Sequence, residues 1–160
     1  MDKELLITVT QLRGVGVKTV CRILGAFKSS GENLHDPKAL FNFLHKIKIP
    51  RFKPPTEETF GHALKQAYEI VSNSEVLDIK ILTIFDSSYP EALRGIEDYP
   101  SVLYCKGNIH LLNDVRSIAV VGSREVHESL TEDFDQILSG IENLPNTCIV
   151  SGLAIGTDSL

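Results

Sequence analysis

The chain has 160 residues, a formal net charge of −5 and 42% hydrophobic side chains, a balance that excludes disordered, collagen-like and disulfide-scaffold classes. No apolar run approaches the roughly 18 residues needed to span a bilayer, and the start, Met1-Asp2-Lys3-Glu4 before a short apolar stretch, lacks a secretory leader pattern. Cys21, Cys105 and Cys148 lie far apart, with no CxxC pair or zinc spacing, which predicts reduced, buried thiols in a cytoplasmic protein without a metal site.

Charge is uneven along the chain. Residues 1–80 carry 12 Lys/Arg against 9 Asp/Glu, and residues 81–160 carry 4 against 12. A basic first half and an acidic second half predict two modules with different surfaces, so any polyanion site is local. In chain order, Leu5, Leu6, Val9 and Leu12 predict a first helix. Val17, Val20, Cys21 and Leu24 predict a second, ended by Gly25. Asp36-Pro37 opens a third, with Asp as cap, Pro in the first turn, and a stripe of Leu40, Phe41, Leu44 and Ile47. Pro50, Pro54 and Pro55 interrupt the chain. Thr56 then caps a longer helix with Glu57 and Glu58 in its first turn and a buried face of Phe60, Ala63, Leu64, Ala67, Ile70 and Val71. Ser72-Asn73-Ser74 reads as the start of a linker.

The second half changes period. Ile81–Phe85 and Val102–Cys105 predict strands. Ser117–Val121, ending at Gly122, predicts a strand buried on both faces of a parallel sheet. A helical stripe of Leu130, Phe134, Ile137, Leu138 and Ile141 follows, then a second buried strand, Thr147–Val150, ending at Ser151-Gly152. Strand, glycine turn, helix, strand, glycine turn is a βαβ unit. One such unit cannot cover both faces of its sheet, which predicts either a piece of a longer protein or strands borrowed from a partner.

Three segments are candidates for binding. Leu12-Arg13-Gly14-Val15-Gly16-Val17-Lys18-Thr19 resembles the hairpin of helix-hairpin-helix domains. Gly14 and Gly16 permit close backbone approach, amides at the next helix start can hold a phosphate oxygen, and Lys18 and Arg22 supply charge. A tight turn with no DNA contact fits the same residues. Gly122-Ser123-Arg124 follows a strand, where backbone amides, the Ser123 hydroxyl and the Arg124 guanidinium suit phosphate. Glu125, Glu128, Glu132, Asp133 and Asp135 crowd the next helix start and repel an anion. Ser151, Gly152 and Gly156 belong to the loop after the neighbouring strand, with Asp158 as a helix cap. Two glycine loops at one sheet edge are more specific than either alone. The five histidines do not assemble with a nucleophile, and no Gly-x-x-x-x-Gly-Lys-Ser/Thr loop is present. No catalytic residue, metal ligand or cofactor is expected.

Taken in order, Tyr89-Pro90-Glu91-Ala92-Leu93, Ile96–Pro100, Val102–Gly107, Ile118–Arg124 and Val150–Asp158 resemble the DNA-processing protein A (DprA/Smf) family. The likeness covers about residues 80–160, and more loosely the helical start, which resembles the family's SAM-like or helix-hairpin-helix extension. It implies an α/β fold: a small all-helical N-terminal domain, residues 1–75, then an incomplete Rossmann-like parallel-sheet domain, residues 80–160. It implies binding of single-stranded DNA, homodimerisation, and delivery of the RecA recombinase onto DNA in natural transformation; the lack of a catalytic set and of a long apolar run adds the expectations of no enzymatic activity and no membrane partner. By motif, Gly122, Ser123 and Arg124 fall on the family's DNA-backbone loop, and Ser151, Gly152 and Gly156 on its neighbour. Thr157 departs from the Ile usual in the family. The alternative is a nucleotide-processing or nucleotide-sensing enzyme of the related phosphoribohydrolase-like fold; its Pro-Gly-Gly-x-Gly-Thr loop is not found in this sequence. A third reading makes residues 1–75 a protein-interaction bundle.

Overall fold

The computed structural model describes residues 1–113, 115–125 and 131–159. The chain divides into two units, Met1–Ile109 and His110–Leu160, so the expected division between 75 and 80 falls inside the first. Leu130 and Glu128 lie outside the described residues.

The first unit is built around α1 (Lys3–Gln11). Its five consecutive residues Leu5 to Val9 are all buried, more than the one-sided stripe expected of a surface helix, so neighbours must cover it on several sides. α2 (Val17–Lys28), α4 (Glu57–Val76) and β1 (Lys80–Thr83) all pack on it. Thr8 is tolerated at the centre because its hydroxyl donates to the Glu4 carbonyl at 2.7 Å. α2 does not stop at Gly25. It runs through to Lys28, carried on by Phe27, which is fully buried and packs against Phe43 with ring centroids 5.2 Å apart. α3 (Pro37–Lys46) begins as expected: the Asp36 carboxylate accepts from the Lys38 amide at 2.9 Å. α4 likewise starts at Thr56, whose hydroxyl accepts from the Thr59 amide at 3.2 Å. It continues through Ser72–Ser74 to Val76, so the expected linker is helix. Ser74 is buried there, and its carbonyl accepts from the Ile79 amide at 2.8 Å.

β1 pairs antiparallel with β2 (Val102–Cys105), Ile81 opposite Tyr104 and Leu82 opposite Leu103. This ladder completes the helical core instead of standing apart from it. Ile81 packs with Ile7 of α1 and Ala67 of α4, and Ile84 and Tyr89 join the main helical cluster. Between the strands lies a short helix, α5 (Glu91–Arg94). Tyr89 is fully buried and its hydroxyl donates to the Pro100 carbonyl at 2.5 Å. Arg94 donates to the Ile84 and Asp86 carbonyls at 2.6 and 2.9 Å. The Tyr89–Leu93 motif is therefore structural.

The second unit holds a parallel pair, β3 (Arg116–Ala119) and β4 (Thr147–Val150), joined through α6 (Thr131–Glu142). Ser117 faces Cys148 and Ile118 faces Ile149, and the Val120 amide extends the ladder to the Val150 carbonyl at 2.9 Å. The expected two-sided burial is not found. Val121 is 75% exposed and Val150 51%. On α6, Phe134, Leu138 and Ile141 are half-buried, but Ile137 faces solvent. Cys21, Cys105 and Cys148 are free and half-buried, less buried than expected. Burial pushes the Cys21 and Cys105 thiols above their ordinary pKa.

Candidate nucleic-acid interface

In the second unit both glycine loops leave the same ends of adjacent parallel strands, β3 and β4, and they interlock. The Thr157 amide donates to the Ser123 carbonyl at 3.0 Å, and the Thr157 hydroxyl adds a bond to the same oxygen at 3.2 Å. An isoleucine at that position has no hydroxyl with which to make the second bond. Gly122 lies so close to Thr157 that a Cβ would sit 2.5 Å from the Thr157 Cβ. Gly156 takes φ +101° and packs on the backbone of Ser123 and Arg124. Both contacts need the absence of a side chain.

Asp158 ties the loops together. Its carboxylate accepts from the Gly122 amide at 3.2 Å and from the Gly152 amide at 3.3 Å, while its carbonyl accepts from the Ser151 hydroxyl at 2.8 Å. The expectation of a helix cap gives way to a clamp, with one anionic side chain bridging two strand ends. Two of the amides expected to hold a ligand phosphate are thus already paired with a carboxylate. The rim differs. No acceptor among the described residues takes the Ser123 or Arg124 amide, and the Ser123 hydroxyl accepts from the Glu125 amide at 3.1 Å. Arg124 is exposed and pairs with no carboxylate among the described residues. A guanidinium beside unoccupied amides is chemistry suited to a phosphodiester oxygen. Sequence reasoning missed Leu153 at the loop tip, 81% exposed at φ +51°, a conformation unfavourable for a γ-branched residue.

In the first unit Gly14, at φ +77°, makes the turn before α2, and Gly16 is the α2 N-cap residue. Space around both glycines is open. Lys18 is engaged by acids: its ammonium lies 2.7 Å from Glu97 Oε1 and 3.5 Å from Asp98 Oδ1. The hydrogen bond it donates to Glu97, then the charge of Asp98, holds its pKa above the ordinary lysine value. Arg22 is exposed on the same helix without an ion pair among the described residues. No group of three or more His, Cys, Asp or Glu among the described residues is placed to hold a metal ion, and no described helix is long and apolar enough to cross a membrane.

Strand-end glycine loops on a parallel pair define an α/β protein of the nucleotide-fold class. Residues 80–160 match the family model described as DNA recombination-mediator protein A, and the chain belongs to that family, the DprA/Smf proteins. The DNA processing protein DprA of Streptococcus pneumoniae is 40% identical over 77 residues, 48% of this chain and 26% of that protein. Protein Smf of Borreliella burgdorferi is 38% identical over 84 residues, covering 49% and 24%. DprA of Bacillus subtilis is 34% identical over 89 residues, covering 51% and 27%. The X-ray structure of S. pneumoniae DprA superposes with a TM-score of 0.68 at 24% identity, over 99% of this chain and 52% of that one; it shares the α/β fold. The chain spans about a quarter of the curated relatives it matches.

Proposed function

We propose that this chain is the N-terminal part of a non-enzymatic single-stranded-DNA binder that, as a homodimer, loads the RecA recombinase in DNA uptake and recombination. The observation that carries the reading is the pair of interlocked strand-end loops with an exposed guanidinium on their rim that pairs with no carboxylate among the described residues. Family membership and the recombination-mediator description of the matched model favour recombination as the setting. Arg124 and the Ser123 and Arg124 amides take a backbone phosphate. Gly122, Ser151, Gly152 and Gly156 shape the loops so that this rim faces outward. Gly14, Gly16, Lys18 and Arg22 form a secondary contact, with Lys18 attenuated by its two acidic partners. Such contacts read the sugar-phosphate backbone and not the sequence, and their strength falls with salt. The test is fluorescence anisotropy of a labelled thymidylate oligomer against the chain and its Arg124→Ala variant over a salt series. Several-fold weaker binding and a shallower salt dependence are expected. Equal affinity of the two proteins at every salt concentration would remove Arg124 from the site.

A further inference from the structure

A groove of about 680 Å³ lies in the first unit, between the end of α1 and the start of α4. Its floor is Leu12 and Ala63, both buried. Its polar wall carries Arg13, Lys53 and His62 from three separate segments: the α1–α2 turn, the proline-rich stretch and the second turn of α4. All three side chains are exposed, and none makes a hydrogen bond or ion pair with a described residue. Four other cations of this unit pair with carboxylates: Lys18 with Glu97, Lys46 with Glu32, Lys65 with Glu69 and Arg94 with Glu91. Glu58 is the one carboxylate on the groove wall. Pro54 and Pro55 add flat apolar surface beside the cations.

From this convergence of Arg13, Lys53 and His62 on one open groove, we infer that the groove holds the phosphates of a single nucleic-acid strand, as a second binding site distinct from the strand-end loops. The inference rests on the proposed function for the class of ligand, but not on Arg124. Arg13 supplies a fork for two phosphate oxygens, Lys53 a mobile point charge, and the His62 ring a hydrogen-bonding edge. Rings of Pro54 and Pro55 lie where a sugar or base can rest. This places the first unit's main anion contact beside the helical hairpin and not at Lys18, which its acids already neutralise.

The test is anisotropy with a ten-residue thymidylate oligomer over a salt series. It uses the full chain, Arg13→Ala/Lys53→Ala, Glu58→Gln and Arg124→Ala, with melting by circular dichroism as the folding control. The double variant is expected to bind five- to tenfold more weakly, with a log affinity–log salt slope smaller by about 1.4, at roughly 0.7 per lost phosphate contact. Glu58→Gln, which removes the opposing charge without truncation, is expected to bind two- to threefold more tightly. Unchanged affinity and slope in the double variant overturn the groove; if Arg124→Ala still weakens binding, the strand-end site survives alone. Loss in the double variant with none in Arg124→Ala supports the groove and removes the strand-end site. No binding by the unaltered chain defeats both. Displacement of the oligomer by a polyglutamate peptide of equal charge at equal concentration overturns the nucleic-acid assignment in favour of an acidic protein partner.

Discussion

Gly156 shows how strongly one residue constrains the loop pair. At φ +101° an L side chain is strained by about 1–3 kcal/mol, and here a Cβ would also drive into the Arg124 backbone, 2.6 Å from its Cα. Gly156→Ala is therefore expected to destabilise the second unit by at least about 2 kcal/mol, read as a lower urea midpoint. Gly140, inside α6 with nothing within 4 Å of its Cβ position, is the control. Gly140→Ala is expected to raise the midpoint, because alanine favours helix by about 1 kcal/mol over glycine. Equal effects from the two substitutions would show that the loop contact carries no strain. The position of these glycines at strand ends is legible in the sequence, since an apolar run followed by glycine reads as a strand and its turn. The role of Asp158 is not. An aspartate ahead of a helix reads as a cap, and only the adjacency of β3 and β4 puts Gly122 and Gly152 within its reach.

Among elements, those fixed by local chemistry could be read directly. Asp36 and Thr56 satisfy their helix starts through side-chain bonds two and three residues away. Thr56→Ala is expected to cost about 1 kcal/mol by removing the cap, visible as a lower melting temperature by circular dichroism; an unchanged melting point would mean that packing alone sets the start of α4. Elements fixed by distant contacts could not be read. Glycine and serine weaken an isolated helix, so Gly25 and Ser72–Ser74 looked like ends. Burial of Phe27 and Ser74 holds both helices together past those points. Burial of β3 failed for the complementary reason: an apolar run reports what a strand can bury, not whether a neighbour is there to cover it. The antiparallel pairing of β1 with β2, separated by the Tyr89–Pro100 segment, is a register that no local pattern specifies.

At the scale of the molecule, the change of charge along the sequence and the change of packing do not coincide. Positive charge dominates to residue 80, yet the first unit runs to Ile109 because the β1–β2 ladder closes the core around Ile7, Ala67 and Tyr89. Residues 1–79 alone are expected to expose that core, bind the dye ANS and melt without cooperativity. Residues 1–109 are expected to melt cooperatively and leave the dye unbound; matching behaviour of the two pieces would show that the ladder is dispensable. Because the helices and the ladder share one interior, the family-matched segment and the region before it cannot be exchanged as independent cassettes. A gene fusion or horizontal swap with its junction near residue 78 would join two halves of a broken interior.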